Sequence, residues 1–282
     1  MLDARCRLNR NTAAGAVLPE LIRDLHTSLA AGRNVAELLD LAVLLHTQGT
    51  GTWLKVVGAP LDLRSQAAAL AQQAARDRDE PTALGIAMML SVGVMLSAGA
   101  FNLAQTALDS VMVPTNTSEG LQLSGMLALS RSLVAASDKR DGDMGAALDQ
   151  AAELAQRTGE GNAFWMGFGP INVGLWRMAG ALEAGDSARV LTTAEALRPQ
   201  AHPHVPRQAA YWVDYGRALA GVRGRHDDAV RAFRRAEAIS PHHVLRAPIV
   251  RDVFAVLLRH SRRGSSTDEV LRGMARRAGL PV

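Results

Sequence analysis

Cysteine and aromatic residues are scarce in this sequence. Cys6 is the only cysteine, so the chain cannot form an intramolecular disulfide and has no C-x-x-C metal site. A reducing cytoplasm fits this composition. Only 11 of the 282 residues are aromatic, and runs of β-branched residues are rare. Alanine and leucine supply most of the apolar surface, and both favour helices, so the sequence predicts an all-α fold.

Lysine is almost absent, although the net charge is +4. Lys55 and Lys139 are the only lysines among 31 basic residues, and the arginines are spread along the chain beside Asp and Glu. This pattern is typical of an ordinary solvated surface rather than of a nucleic-acid-binding stripe. The alternative is a polyanion-binding patch at the densest basic segment, Arg259–Arg263 with Arg272, Arg276 and Arg277.

One long uncharged run needs an explanation. Residues 81–108 contain no charged side chain and would be long enough to span a bilayer. Gly99-Ala100-Phe101-Asn102 interrupts the run as a turn, and the residues before it are rich in Ala, Gly, Ser and Met. We therefore predict a buried central helix rather than a membrane span. Residues 1–10 are polar and basic, and we expect no signal peptide there.

A repeat runs through most of the chain. Four glycines, spaced 43, 43 and 39 residues apart, each lie between two helical segments: Gly99, Gly142, Gly185 and Gly224. Five and nine residues after each glycine stand small or apolar side chains: Ala104 and Leu108, Ala147 and Ala151, Val190 and Ala194, Ala229 and Phe233. Each unit would hold two antiparallel helices that bury their apolar faces against neighbouring units. This pattern predicts an α-solenoid.

The last repeat is the clearest. Ala229, Phe233, Ala236 and Pro241 match the second helix of a tetratricopeptide repeat. We expect a linker or disordered start over residues 1–14 and one repeat domain over 15–282, in a right-handed superhelix of about 12 or 13 helices. Within it we expect divergent hairpins over 15–80, recognisable repeats over 81–241 and capping helices over 242–282.

The aromatic residues are concentrated around one glycine-proline turn, at residues 162–177. Gly167, Gly169 and Pro170 form the turn, and Pro170 is suited to open a helix. We predict a ligand site here, lined by three aromatic and three polar side chains: Trp165, Phe168, Trp176, Asn172, Arg177 and Asp214. The rings would form one wall of a concave groove, and the polar groups would anchor the ligand. The alternative is structural, with a buried Arg177–Asp214 ion pair between hairpins and rings that only pack.

Several motifs along the chain resemble one family in the same order. The matching segments are residues 168–173, Trp176-Arg177, 183–186, 212–218, 223–225, 227–229, 236–241 and 271–280. In these segments the chain resembles the C-terminal tetratricopeptide-type region of actinobacterial helix-turn-helix transcriptional regulators of the xenobiotic-response-element class. The resemblance is good over residues 80–282 and loose over 15–80. Trp176 stands where many members have His, so the resemblance does not identify the ligand.

The resemblance implies a regulatory function. In such regulators a DNA-binding domain precedes this region, and residues 1–34 do not match one, so we expect DNA contact only through a domain outside this chain. A peptide or small-molecule effector in the groove would shift the packing or dimerisation of the hairpins, and we expect a homodimer. The alternative is a protein–protein scaffold that binds an extended segment and has no small effector.

Catalytic and metal chemistry are not expected. His202, His204, His242 and His243 lie in proline-bounded loops without a Cys or carboxylate partner pattern, so we predict no metal site. The glycine-proline turn lacks the Gly-Lys-Ser/Thr of a phosphate-binding loop. No Ser, His and Asp are spaced as a triad, and Cys6 has no base placed beside it. We therefore expect a non-enzymatic protein without a cofactor.

Overall fold

The fold is all-α, as the composition predicts. The computed structural model describes residues 2–245 and 247–282, with side chains from residue 13 onward except 242 and 243. Within these residues the regular structure is helical, apart from one isolated bridge between Gly161 and Phe168. Thirteen described α-helices have nine or more residues and two are shorter. The stacking of the hairpins into a right-handed superhelix stays a prediction.

The chain divides into two compact units, with the boundary between residues 170 and 171. The first comprises Arg5–Pro170 and the second contains Ile171–Val282. The single repeat domain expected over residues 15–282 stays a prediction, because compact units of this kind can belong to one array or to two.

The first unit contains eight α-helices, one π-helical segment and a short 3-10 helix at Ala163–Trp165. The π-helical segment, Leu45–Gly51, joins α2 to α3. The helices are α1 (Leu2–Ala30), α2 (Val35–Leu44), α3 (Thr52–Val57), α4 (Leu61–Arg78), α5 (Pro81–Ser97), α6 (Phe101–Asp109), α7 (Ser118–Ser137) and α8 (Asp141–Thr158).

The second unit contains seven α-helices and a short 3-10 helix at Pro199–Ala201. Pro170 opens the first of them, because its missing N–H would have no helical partner at that position. The helices are α9 (Pro170–Glu183), α10 (Ser187–Glu195), α11 (Val205–Ala220), α12 (His226–Ile239), α13 (Pro241–Leu245), α14 (Pro248–His260) and α15 (Ser266–Arg277).

The start of α1 differs from the linker predicted for residues 1–14. The helix begins at Leu2 and continues to Ala30. Leu, Ala and Arg in this stretch favour helix, and extending a formed helix adds one hydrogen bond for each residue ordered. The mixed charge and the asparagines of this stretch therefore do not exclude a helix. Residue 1 lies outside the described residues.

The repeated contact positions lie in the core. All eight side chains five and nine residues after the predicted turn glycines are buried: Ala104, Leu108, Ala147, Ala151, Val190, Ala194, Ala229 and Phe233. They lie on α6, α8, α10 and α12, the second helix of each predicted hairpin. Small or apolar side chains at these positions let the second helix of each predicted hairpin pack against its neighbours, which explains why the pattern recurs.

One of the four predicted turn glycines was wrong. Gly99, Gly185 and Gly224 have positive φ values of 72°, 74° and 80°, as turns between helices require. Gly142 instead lies in the first turn of α8. The left-handed position of that turn is taken by Lys139, with φ 57°. Gly142 therefore has the spacing of the turn glycines, although it lies near the start of a helix.

The uncharged run is two helices, as predicted. α5 ends at Ser97 and α6 begins at Phe101, with the turn at Gly99 between them. Among the described residues, no helix combines the length and apolar character needed to cross a bilayer. Ala83, Ala87 and Val92 of α5 are buried within the first unit, which accounts for the absence of charge.

The C-terminal helices close the core of the second unit. Their apolar residues pack with α12, and the rings of Phe233 and Phe254 meet edge to face with centroids 5.2 Å apart. The Ser265 side chain caps α15 by accepting a hydrogen bond from the Asp268 N–H at 3.1 Å. α14 begins at Pro248 rather than continuing from α13, because the residue before a proline disfavours helical geometry.

Candidate functional site

The six predicted site residues belong to different units. Trp165 and Phe168 lie in the first unit, whereas Asn172, Trp176, Arg177 and Asp214 lie in the second. Within the first unit the structure does not bring the two rings into one wall. Trp165 is 57% exposed, while Phe168 is 1% exposed.

The turn before α9 has an unusual backbone. Phe164 and Trp165 have φ values of 52° and 55°, a left-handed conformation that is disfavoured for large aromatic residues. Gly167 follows with φ 64°. Two hydrogen bonds fix this backbone: the Gly161 N–H donates to the Phe168 carbonyl at 2.8 Å, and the Ala163 N–H donates to Gln122 Oε1 at 2.9 Å. The strained turn holds the Trp165 side chain at the surface.

Phe168 is a core residue of the first unit. Its ring packs directly on the α-carbon of Gly125 in α7, where any larger residue would overlap it. This packing agrees with the structural alternative, in which the rings only pack, and the predicted part of Phe168 in a ligand wall stays a prediction.

In the second unit the polar residues of α9 lie at different depths. Asn172 is fully buried, whereas Trp176 and Arg177 are half-buried. The buried neighbours of this stretch are apolar side chains of α9, α10 and α11: Ile171, Leu175, Met178, Ala181, Val190, Ala194 and Ala218. A half-buried indole and guanidinium at the edge of such a core are able to contact a ligand.

Trp176 contacts an arginine that the sequence analysis missed. The guanidinium carbon of Arg207, in the first turn of α11, lies 5.3 Å from the centre of the Trp176 ring. A cation over an indole face is attracted by the ring quadrupole. The Nε1 donor of Trp176 is shielded from solvent and has no acceptor among the described residues.

Asp214 pairs with Arg217 of its own helix. Arg217 Nη1 lies 3.3 Å from Asp214 Oδ1, and Arg217 Nη2 lies 3.2 Å from Glu183 Oε1 on α9. The side chains of Asp214 and Arg217 are each 16% exposed. The sequence predicted Arg177 near Asp214, but the guanidinium bound to this carboxylate is that of Arg217, three residues further along the same helix.

These contacts also give the direction of the two helices. Trp176 of α9 lies beside Arg207 of α11, and Glu183 of α9 lies beside Arg217 of α11. Residue numbers rise together along both helices, so α9 and α11 run side by side in the same direction. We call the five side chains along this seam the α9–α11 cluster: Trp176, Glu183, Arg207, Asp214 and Arg217.

Burial shifts the ionisation of the α9–α11 cluster. Burial raises the pKa of Asp214 to about 6, against the opposing effect of Arg217, and Glu183 raises it further. Burial likewise lowers the pKa of Arg207, while Asp214 acts in the opposite direction. The pKa of His204 is also lowered, first by burial and then by the charge of Arg207. A carboxyl group with a pKa near 6 is able to exchange a proton when a charged ligand arrives.

The sequence contained one signal for this cluster. Arg217 follows Asp214 by three residues, a spacing that places both on the same face of a helix. Arg207 had no comparable signal, because its partner Trp176 lies 31 positions away in the sequence.

The predicted histidine loops do not form a metal centre in the part of the chain that the structure describes. His202 is buried, and its Nδ1 accepts a hydrogen bond from the His204 N–H at 3.0 Å. Among the described residues, no three His, Cys, Asp or Glu side chains come together as metal ligands. The side chains of His242 and His243 lie outside the described residues.

Comparison with known proteins assigns no family to the chain. No family model matches the sequence, and no curated protein matches it. The resemblance to actinobacterial regulators therefore stays an expectation.

Proposed function

We propose that this chain is a non-enzymatic ligand-sensing domain of a transcriptional regulator, built from tetratricopeptide-like helical repeats. A small-molecule or peptide effector would bind at the α9–α11 cluster. The observation that supports this most is the contact between Trp176 and Arg207, a cation and an indole at the edge of an otherwise apolar core.

The direction of α9 and α11 supports a binding groove. In stacked helical hairpins the first helices of neighbouring units run parallel and line the concave face. α9 and α11 are the first helices of two consecutive predicted hairpins, and their contacts rise together in residue number. The α9–α11 cluster would then lie on the groove side, where ligands of repeat proteins bind.

The regulatory role rests on the family resemblance. Residues 168–173, Trp176-Arg177 and 212–218 include much of the α9–α11 cluster, so the segments that resemble the regulators coincide with the proposed site. Effector binding would change how neighbouring hairpins pack, or how two copies of the chain dimerise. That change would reach DNA through the helix-turn-helix domain of such regulators.

A protein–protein scaffold is the second candidate. The exposed Trp165 supports it, because a large aromatic side chain held at the surface by a strained turn is typical of a contact for a protein partner. In that case an extended partner segment would bind, and no small effector would be required.

The two candidates can be separated by a thermal-shift screen with metabolites and short peptides. The proteins are the wild type, Trp176→Phe, Arg207→Gln and Trp165→Ala. A compound that stabilises the wild type and Trp165→Ala, but neither of the other two variants, would support the sensor. A peptide that requires Trp165 but neither Trp176 nor Arg207 would support the scaffold. Hits that no variant affects would place the ligand site elsewhere and overturn the proposal.

A further inference from the structure

We infer that the ligand of the α9–α11 cluster carries a carboxylate group, bound by the guanidinium of Arg207 beside the indole of Trp176. This inference rests on the proposed function, because it names the chemistry of the ligand at the same site. The inference is argued from which hydrogen-bond donors and charged groups of the α9–α11 cluster already have partners within the protein.

Arg207 is a cation with unused donors. Its side chain contacts the Trp176 ring, and among the described residues it makes no hydrogen bond or close ion pair. Arg217, by contrast, is bound to both Asp214 and Glu183. Arg207 therefore adds no ion pair to the fold, although it is half-buried and burial disfavours its charge. An unpaired, partly desolvated guanidinium gains more from an incoming anion than a fully hydrated one.

Trp176, whose ring contacts Arg207, supplies a second donor. Its Nε1 has no acceptor in the described part of the protein and is closed off from water. A buried donor without an acceptor destabilises a structure, so an acceptor brought by a ligand would relieve this deficit. A guanidinium and an N–H group close together need a ligand with two acceptor oxygens and a negative charge.

The charges around the site favour a carboxylate over a phosphate. Arg207 is the one cation of the α9–α11 cluster without an ion-pair partner, whereas Asp214 and Glu183 are both negative when ionised. A doubly charged phosphate would meet one unpaired cation, and the charge of Asp214 already acts on that cation. A singly charged, planar carboxylate matches both the charge and the flat fork of a guanidinium.

Asp214 makes the binding depend on pH. Its pKa lies at about 6, with Arg217, Glu183 and Arg207 as the charged groups that act on it. A bound anion would repel the ionised carboxylate and raise this pKa further. Binding would then take up a proton, so the affinity should increase as the pH falls from about 7.5 towards 6. His204 does not compete for this proton as readily as an exposed histidine would, because burial and then the charge of Arg207 lower its pKa.

The test is a titration with benzoate followed by the indole N–H signals in two-dimensional NMR. The chain has four tryptophans, so the Trp176 signal can be assigned by its loss in Trp176→Phe. Benzamide is the uncharged control of the same shape, and inorganic phosphate is the second anion. We expect benzoate to shift the Trp176 signal in a saturable way, with benzamide inactive and phosphate weaker than benzoate.

Three variants make the test specific. Arg207→Gln should weaken benzoate binding by about tenfold to a hundredfold, because a charge-assisted bidentate contact is lost. Arg259→Gln, which removes an exposed arginine from α14, should leave the binding unchanged. Asp214→Asn should bind benzoate with an affinity that no longer changes between pH 6 and about 7.5.

The outcomes separate this inference from the proposed function. If a neutral compound from the thermal-shift screen binds at Trp176 and benzoate does not, the sensor stands and the carboxylate inference is wrong. If phosphate binds more tightly than benzoate, the anion is a phosphate group and the inference is equally wrong. If benzoate binds equally well to Arg207→Gln, the contact lies elsewhere. If no compound of either kind moves the Trp176 signal, both proposals fail.

Discussion

The ring of Phe168 lies directly against the α-carbon of Gly125. A methyl group on Gly125 would overlap the end of that ring, which is itself fully buried in the first unit. Gly125 of α7, which has no side chain, therefore leaves the space that the ring of Phe168 fills. This contact connects the strained aromatic turn to the core, and it explains why a helix interior contains a residue that disfavours helix.

Gly125→Ala should destabilise the first unit. The ring cannot move away without disturbing a close-packed core, and overpacking of this kind reduces the free energy of unfolding by about 1–3 kcal/mol. Urea unfolding of the purified protein measures the difference.

The matched control is Gly93→Ala in α5. A methyl group there would have nothing within 4 Å. Alanine is a better helix former than glycine by about 1 kcal/mol, so this variant should be as stable as the wild type or more stable. Equal destabilisation by both substitutions would contradict the packing argument for Gly125.

Much of the fold could be predicted from the sequence because it depends on local spacing. Ala104 and Leu108, or Ala229 and Phe233, recur at helical intervals after a turn, and both pairs are buried. The prediction of a turn at Gly142 was wrong because spacing alone does not give the backbone conformation. The turn there uses Lys139, a residue that carries no sequence signal for a positive φ.

The candidate site was harder to predict because its contacts join distant parts of the sequence. Trp176 was chosen for its residue type, but its partner Arg207 depends on how α9 and α11 align. Asp214 was predicted near Arg177, although Arg217 stands one helical turn away and pairs with it. A local partner at the right spacing should therefore be considered before a distant one.

His46 should make the stability of the first unit depend on pH. It is fully buried in the π-helical segment, and its Nε2 lies 3.3 Å from His26 Nε2. Burial, and then the charge of His26, lowers the pKa of His46 to about 4. The unfolded chain, with an ordinary pKa near 6.5, binds a proton more readily between these values. Stability should therefore be complete above about pH 6.5 and fall as the pH drops towards 4, by on the order of 3 kcal/mol.

Urea unfolding at several pH values between about 4.5 and 7 measures the effect of His46. His46→Gln removes the titrating group and should flatten the dependence in this range. Because other groups also titrate there, the comparison is between the slopes of the variant and the wild type. Identical slopes would mean that His46 is protonated as easily in the folded protein as in the unfolded chain.

Asp214→Asn should stabilise the protein at neutral pH. The folded-state pKa of Asp214, about 6, lies above the ordinary value of 3.8, so its ionisation is unfavourable in the fold. Protonated Asp214 therefore contributes to the free energy of unfolding. This contribution is fully present below about pH 3.8 and is lost as the pH rises through 6. The amide avoids this loss, and we expect a gain of about 1–3 kcal/mol at pH 7 that disappears at pH 4. A loss at pH 7 would mean that the ion pair with Arg217 outweighs burial.

Lys139→Gly should stabilise the turn between α7 and α8. Lys139 has φ 57°, a left-handed conformation that is unfavourable for a residue with a β-carbon by about 1 kcal/mol. Gly99 has the same kind of conformation, φ 72°, in the turn between α5 and α6, where glycine removes this penalty.

Gly142→Ala tests the corrected assignment independently, because Gly142 is helical and has open space around it. Thermal unfolding should show a higher midpoint for both variants, whereas a turn formed by Gly142 itself would make Gly142→Ala destabilising.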